Sequence, residues 1–305
     1  MDDCKIQKPF LKWAGGKSQI INIINEKIPE KINNYHELFL GGGSVLLSVL
    51  SLQRQNKIKI KNKIYAYDFN KSLINTFVQI KNNVNEVVIE LNKLKTEFTE
   101  IKKNTNGQRG KPKDLDNNTY KNTREHYYYW IRDLYNKQSK DTVLSCAYFI
   151  FLNKTGFKGM YREGSNGFNI PYGQKDKKSM PSIFSEKELK NISKLIKDVE
   201  FKHMSFKDSI KNVKHEDFVY LDPPYAPENS KSFVGYLEDG FDLETHKLLF
   251  SEIKKLGKTK FVMSNAKVEL VTENFKNYNC EDIIARRAIN SKKPGSKTTE
   301  VIIYN

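Results

Sequence analysis

Short apolar runs and longer amphipathic stretches alternate along most of the chain. An isolated apolar run predicts a buried strand, whereas apolar residues spaced three and four positions apart predict a helix. The predicted strands cover residues 35–40, 64–67, 199–203, 218–221 and 260–263, with two closing β segments near 282–288 and 298–304. The predicted helices among them cover residues 45–52, 71–80, 185–197 and 243–256. This alternation indicates an α/β fold.

The pattern changes between about residues 82 and 198. Long helical periods at 84–101, 124–135 and 142–152 surround a polar stretch, 102–122, that we predict to be a loop. Residues 155–173 combine glycines with aromatic and basic side chains, which indicates a β-hairpin or an ordered loop. We therefore predict one domain from residues 1–81 and 199–305, and an inserted, mostly helical domain at 82–198 that carries the hairpin.

The predicted strand 218–221 ends at Asp222, Pro223, Pro224 and Tyr225. Proline cannot donate to a strand ladder, so the pair stops the strand and leaves a carboxylate at its carboxyl end, where open α/β sheets bind ligands. An acceptor side chain, a stiff carbonyl at Pro223 and an aromatic ring suit a flat exocyclic amine such as N6 of adenine. The alternative is a strand-ending turn without chemistry.

A glycine-rich turn joins the predicted strand 35–40 to the following helix. Its spacing is Phe39, Gly41 and Gly43, without the third glycine of the dinucleotide pattern, which argues against a pyrophosphate ligand. Asp68 ends the next strand, where a carboxylate can accept hydrogen bonds from ribose hydroxyls. A plain tight turn is the alternative for the glycines.

Charge indicates the class of partner. The chain has 52 Lys plus Arg against 36 Asp plus Glu, a formal charge of +16 and a pI near 9.4. Such a surplus favours a polyanion, with nucleic acid ahead of an anionic membrane. Biased base usage in the gene could also produce a lysine-rich composition.

Cysteine, histidine and hydropathy patterns exclude several protein classes. The three cysteines are odd in number and far apart, which predicts no disulfide framework and a reducing, intracellular compartment. The five histidines lack metal-ligand spacing, so we predict no metal. No apolar run is long enough to span a membrane, and we expect neither a signal peptide nor membrane association.

Taken together in this order, the motifs resemble those of the Dam-like, D12-class DNA adenine-N6 methyltransferases, in which the glycine motif precedes the recognition domain and Asp-Pro-Pro-Tyr follows it. The matching segments are residues 9–17, 39–44, 67–70, 153–173 and 219–225, with weaker matches at 264–265 and 287–304. The resemblance implies a Rossmann-like sheet that binds S-adenosyl-L-methionine, double-stranded DNA as substrate, and DNA recognition by residues 82–198.

The resemblance also implies roles for individual residues. The catalytic set is Asp222, Pro223, Pro224 and Tyr225. The cofactor-binding set is Trp13, Lys17, Phe39, Gly41, Gly43, Ser44, Asp68 and Asp222. The DNA-binding set is Lys12, Phe157, Lys158 and Arg162, in which Phe157 is similar to an intercalating aromatic residue and Arg162 to a guanine-reading arginine. Lys158 stands where GATC-reading members often have asparagine, so the target sequence need not be GATC.

Three alternatives stay open from the sequence. The acceptor could be N4 of cytosine or adenine in RNA, although cytosine-N4 enzymes more often have serine at the position of Asp222. The third alternative is a basic DNA-binding protein that keeps the fold but does not catalyse methyl transfer. For the leading interpretation we expect a cytoplasmic or nucleoid-associated enzyme and a cognate restriction endonuclease that acts separately.

Overall fold

The computed structural model describes residues 5–101, 115, 119–173, 182–226, 241–286 and 297–305. The strands are β1 (Lys31–Ile32), β2 (Tyr35–Glu37), β3 (Lys59–Ile60), β4 (Ile64–Asp68), β5 (Glu163–Gly164), β6 (Gly167–Phe168), β7 (Val199–His203), β8 (Phe218–Leu221), β9 (Lys260–Ala266), β10 (Asn279–Arg286) and β11 (Lys297–Tyr304). The α-helices are α1 (Ile21–Glu26), α2 (Ser44–Arg54), α3 (Lys71–Asn82), α4 (Val84–Glu100), α5 (Arg124–Lys137), α6 (Val143–Thr155), α7 (Glu186–Leu195), α8 (Phe206–Ser209), α9 (Leu243–Lys255) and α10 (Glu269–Asn274). Short 3₁₀ turns cover Lys17–Gln19, Phe157–Gly159 and Ile210–Asn212.

The chain divides into two compact units. The first unit comprises Met1–Lys8, Gly15–Asn70 and Asp198–Asn305, and the second comprises Pro9–Ala14 and Lys71–Lys197. The sequence placed the first domain boundary near residue 81, whereas the compact units divide before α3. The roles assigned to the two domains stay predictions at this point.

A seven-stranded sheet in the order β10-β11-β9-β8-β2-β4-β7 forms the centre of the first unit. Strands β7, β4, β2, β8 and β9 run parallel, and β11 pairs antiparallel with both β9 and β10. The four residues of β8 are all buried, as expected for a parallel strand covered on both faces. The prediction of an α/β fold is confirmed.

The strand order changes direction beside β2. The chain passes from β2 to β4 and β7 on one side, and then returns to continue through β8 and β9 on the other side. In an open sheet of this kind, the loops after the two central strands diverge and leave a crevice at the carboxyl edge. The turn after β2 and the residues after β8 therefore lie at the same edge.

One face of this sheet buries an apolar cluster against α9 and α10. Helix α9 contributes Leu249, Phe250 and Ile253, whose spacing of one, three and four positions places them on one helical face. Phe250 meets Phe275 edge to face, with ring centroids 5.1 Å apart. Leu221 from β8 belongs to the same cluster, so packing fixes the strand that precedes Asp222.

The second unit is helical and rich in buried aromatic rings. Phe98 of α4 meets Phe151 of α6 edge to face at 5.2 Å. Strands β5 and β6 form a small antiparallel hairpin inside the segment for which a hairpin or ordered loop was predicted. Asn136 of α5 fastens this hairpin by bonding both main-chain groups of Phe168, at 2.9 Å each.

Two predicted segments fall mainly outside the described residues. They are most of the polar loop 102–122 and the larger part, 287–296, of the weakly matching segment 287–304. Within the described ranges, no helix combines the length and apolar composition that crossing a bilayer requires.

Glu37 is a buried acid at the end of β2. It is 1% exposed, accepts a hydrogen bond from the hydroxyl of Tyr35 at 2.6 Å, and receives a second from the main chain of Leu46. Burial, aided by the nearby charges of Asp222 and Asp68, raises the pKa of Glu37 from 4.5 to about 8 despite these bonds. The folded state therefore holds a proton that the unfolded chain releases above about pH 4.5.

This raised pKa predicts a pH dependence of stability. Because the folded carboxyl binds its proton more tightly, its contribution is complete below pH 4.5 and is lost as the pH rises to about 8. The loss amounts to at most about 1.4 kcal/mol per pH unit within that window. The free energy of unfolding, measured by urea titration at several pH values, should decline less steeply with pH for Glu37→Gln than for wild type. Glu273→Gln, at an exposed position, should keep the wild-type decline. Equal slopes for wild type and Glu37→Gln would contradict the prediction.

Candidate active site

A buried ion pair holds the carboxylate that follows β8. Lys17 Nζ lies 2.7 Å from Asp222 Oδ2, and the two side chains are 4% and 21% exposed. The same ammonium donates to the carbonyl oxygen of Gly15 at 2.5 Å. The main-chain N–H of Lys17 donates to Ser44 Oγ at 3.1 Å, which links this segment to the start of α2. Two of the sequence-predicted sites, the N-terminal lysine and the Asp-Pro-Pro-Tyr acid, therefore lie in contact.

Burial and neighbouring charges compete at Asp222. Burial raises the pKa of the Asp222 carboxyl, Lys17 opposes that rise through its charge and its hydrogen bond, and Glu300 adds to it. Removing Lys17 would leave an acid in a dry site without its cation, which strongly favours the protonated form. Lys17 thus supports the ionised, hydrogen-bond-accepting form of Asp222.

Two contacts hold the side chain of Tyr225, one at its hydroxyl and one at its ring. Its hydroxyl donates to Glu300 Oε2 at 2.8 Å, and its ring centroid lies 5.1 Å from Lys17 Nζ. Burial, together with the charges of Asp222 and Glu300, raises the pKa of the Tyr225 hydroxyl, so it remains a donor at physiological pH. The ring is only partly buried, which leaves aromatic surface for a ligand.

Two further residues hold the main chain of the proline turn. Asn265 Oδ1 accepts from the N–H groups of Ala226 and Ala266, at 3.1 and 2.8 Å. His246 Nε2 lies 3.1 Å from the carbonyl oxygen of Pro224. The two donors fix which end of the Asn265 amide faces the turn. Its Nδ2 is fully buried and has no hydrogen-bond partner among the described residues.

The glycine turn after β2 has two features: positive φ angles at its glycines and a hydrogen bond to the carboxylate of Asp68. Gly41 and Gly43 have φ of +50° and +71°, which favours residues without a Cβ atom. The N–H of Gly41 donates to Asp68 Oδ2 at 2.9 Å, and Asn70 N–H donates to Asp68 Oδ1 at 2.8 Å. Burial raises the pKa of Asp68 and these two bonds oppose the rise.

Phe39 adds a flat apolar surface beside this turn. Its half-buried ring stacks on Phe206 with centroids 5.8 Å apart and meets Phe241 at 6.0 Å. The carboxyl edge of the sheet therefore combines acids, one buried cation and exposed aromatic surface. Such a set suits a ligand that carries hydroxyl groups, a positive charge and a flat ring.

The remaining predicted residues lie in the second unit. Trp13 stacks on Tyr161 with centroids 5.8 Å apart, so its ring is part of that unit's aromatic packing. Asn153 bonds both main-chain groups of Lys12, at 2.9 and 2.8 Å, and reaches the carbonyl of Gly159 at 3.2 Å. Lys12 is thereby tied to the loop that carries Phe157 and Lys158.

The DNA-binding candidates in this unit have exposed side chains. Phe157 is 44% exposed, and Lys158 beside it has a φ of +54°, which is unusual for a residue with a Cβ atom. Arg162 is exposed and donates from Nε to Asn169 Oδ1 at 2.6 Å. Its terminal guanidinium nitrogens make no hydrogen bond to another described residue. The DNA-binding roles of these residues remain predictions.

Sequence reasoning missed several residues of the site. Glu37 could have been suspected, because it is an acid inside an apolar strand. Glu300 and His246 gave no such signal, since each reaches the motif only through tertiary structure. Among the described residues, no group of three or more His, Cys, Asp or Glu side chains is arranged to hold a metal ion.

Comparisons with known proteins agree with this arrangement. The chain is 36% identical to the Type II methyltransferase M.MjaIII of Methanocaldococcus jannaschii, over 98% of this chain and 99% of that protein. It is 32% identical to the Type II methyltransferase M1.LlaDCHI of Lactococcus lactis, over 98% and 95%. It is 27% identical to the DNA adenine methylase of Escherichia coli K12, also over 98% and 95%. The family model described as D12 class N6 adenine-specific DNA methyltransferase matches residues 13–289, and the chain therefore belongs to that family.

Proposed function

We propose that this DNA adenine-N6 methyltransferase acts on one short duplex sequence and takes the target adenine out of the helix before methylation. The observation that carries the proposal is the position of Asp222, held by Lys17 at the carboxyl edge of the sheet. The amine of a base that is stacked and paired inside a duplex is not accessible to a carboxylate and a main-chain carbonyl at once, so the enzyme must extrude the base. The partly exposed ring of Tyr225 supplies a surface on which the extruded base stacks.

The residues present fit S-adenosyl-L-methionine, the cofactor of this family. Asp68 already accepts two main-chain N–H groups, and each carboxylate oxygen has capacity for a ribose hydroxyl as well. Phe39 and the glycine turn offer an apolar, closely approachable surface, and Asp222 provides negative charge for a cationic ligand. Ser44 and Lys17 complete the proposed cofactor contacts of the first unit, and the assignment of Trp13 to the cofactor is supported by the family resemblance alone. When bound, this cofactor supplies a methyl group on a positively charged sulfur, which is a good leaving group.

The chain's own residues act mainly by alignment. The carboxylate of Asp222 and the carbonyl of Pro223 accept hydrogen bonds from the adenine amine, which directs the nitrogen lone pair away from both acceptors. Pro224 keeps that carbonyl rigid, and His246 and Asn265 hold the turn from outside. The N6 nitrogen gains the methyl group and gives up one proton, which the Asp222 carboxylate can accept and pass to water. Orientation of this kind accounts for roughly 7 to 11 kcal/mol of barrier in well-aligned systems.

The second unit is the proposed recognition unit. An exposed aromatic residue, Phe157, next to the cation Lys158 suits insertion beside the extruded base and contact with a phosphate. The two terminal guanidinium nitrogens of Arg162 make no hydrogen bond to another described residue, and such a pair of donors suits the O6 and N7 acceptors of guanine. Lys12 is tied to the same loop and suits an outer base or phosphate.

We further propose that the enzyme marks DNA inside the cell as the modification half of a restriction-modification system, or in a related form of DNA marking. Two relatives are named Type II methyltransferases, which supports this role. The cognate endonuclease would act separately on the same sequence. The positive charge of +16 supports lasting association with DNA.

Replacing Asp222 tests the catalytic assignment. Asp222→Ala removes one of the two amine acceptors, so methyl transfer to duplex DNA should fall by at least about 100-fold. Retention on DNA should change little, because the proposed DNA contacts lie in the second unit. Asp208→Ala, at an exposed acid outside the site, is the control and should keep full activity.

Incorporation of labelled methyl groups, followed by mass analysis of the methylated base, provides the measurement. Full activity of Asp222→Ala would refute the assignment. N4-methylcytosine in place of N6-methyladenine in the wild-type product would identify a different acceptor.

Replacing Arg162 tests the recognition assignment. Arg162→Ala should cost about 1 to 3 kcal/mol of discrimination at one base pair, which relaxes the methylated sequence rather than weakening all sites evenly. Lys187→Ala, at an exposed cation of α7, should leave the sequence unchanged. Sequencing of methylated sites in DNA from expressing cells provides the measurement, and an unaltered set of sites for Arg162→Ala would contradict the role.

A further inference from the structure

A basic cleft lies at the amino edge of the central sheet, opposite the edge that carries Asp222. It has a volume of about 670 Å³, and its lining includes the starts of β8 and β9 and the short strands β1 and β3. Its lining has five lysines, Lys31, Lys59, Lys61, Lys258 and Lys260, and two acids, Glu216 and Asp217. Since β8 has four residues at about 3.3 Å each, the two edges are separated by roughly 13 Å of strand.

Backbone pairing sets the lysines side by side. Lys31 and Lys59 are direct partners in the parallel pair β1 and β3. The N–H of Lys61 donates to the carbonyl of Ile32 at 2.9 Å, which continues the same pairing. On the other side of β8, Lys260 stands opposite Phe218 at the start of β9. The basic side chains therefore flank the start of β8 from both sides.

All five lysines are available to a ligand. Each is exposed, and none of the five forms an ion pair with another described residue. Exposed lysines elsewhere in this chain often pair with an acid three or four positions away, as Lys247 does with Glu244. The cleft thus concentrates unpaired positive charge.

The two acids of the cleft leave most of this positive charge in place. Asp217 is buried and accepts from Lys214 N–H, His36 Nε2 and both nitrogens of Asn34, at 2.7 to 3.1 Å. Burial favours its neutral form, but these hydrogen bonds outweigh it and hold the pKa of Asp217 below its usual value. Asp217 is therefore ionised and hydrogen-bonded inside the protein, and Glu216 is the exposed acid of the lining. The five lysines against these two acids leave a net charge of +3.

The floor of the cleft is a fixed structure. Glu216 has a φ of +72°, in the left-handed region that residues with a Cβ atom rarely adopt. Its carbonyl accepts from the N–H of Asn33 at 3.3 Å, and the bonds to Asp217 hold the next residue. Such a conformation persists only where the surroundings impose it. The lysines therefore project from a rigid base.

We propose that this cleft is a second DNA-binding site, which holds the phosphate backbone of a duplex segment away from the methylated site. From Lys59 on β3, through β1 and the start of β8, to Lys260 on β9, the lysines span about three strand spacings, roughly 14 Å, which is wider than a single phosphate. Duplex DNA presents about one negative charge per 1.7 Å, or about eight over that span, so each of the five cations can meet a separate phosphate. The inference rests on DNA being the substrate and adds a contact that the methyl-transfer site does not need.

Salt dependence of binding to long non-specific duplex tests the site. The double variant Lys59→Gln with Lys61→Gln should reduce the slope of log affinity against log salt by about 2, because two phosphate contacts are lost. It should also methylate fewer sites per encounter on a long substrate. On a short duplex scarcely longer than the recognition site, its methylation rate should equal that of wild type.

The matched control is Lys247→Gln with Lys255→Gln, which removes the same net charge from exposed lysines of α9. That variant should keep the wild-type salt slope. An unchanged slope for the cleft variant, or an equal decrease in the control, would overturn the proposal. If the cleft variant lost short-duplex methylation to the same degree, the cleft would be supporting the active site rather than a second segment, and the proposal would fail.

Discussion

The charge pair between Lys17 and Asp222 is the interaction on which the catalytic edge depends. An acid placed at this end of β8 would more readily take up a proton without a cation, and the protonated acid carries an O–H donor and accepts less well from an amine. The lysine comes from a segment far away in sequence, and Gly15 and Ser44 hold it in place. The pair thus joins the N-terminal segment, the glycine turn and the proline turn into one site.

Several acids share this small region, and each is stabilised differently. Asp222 has a cation, Asp68 has main-chain N–H donors, and Glu37 has a tyrosine hydroxyl and retains its proton up to about pH 8. Three full negative charges so close together would repel one another strongly in a dry environment. Keeping Glu37 neutral lets the other two remain available for a polar, positively charged ligand.

Sequence reasoning located the parts of the site that local signals define. Prolines after an apolar run mark the position of Asp222, and glycines mark the turn that needs positive φ at Gly41. It could not locate Glu300, because only the pairing of β11 with β9 brings that residue to Tyr225. The same limit applies to α3, whose apolar periodicity predicts a helix but does not reveal which compact unit its buried face joins.

The place of β11 in the sheet links the order of the sheet edge to the order of the site. It lies between β9 and β10, and within the described residues it is the strand that joins β10 to the rest of the sheet. The same strand carries Glu300, the acceptor for the hydroxyl of Tyr225. A change that weakened the pairing of β11 with β9 would therefore loosen the ring of Tyr225 together with the outer strand.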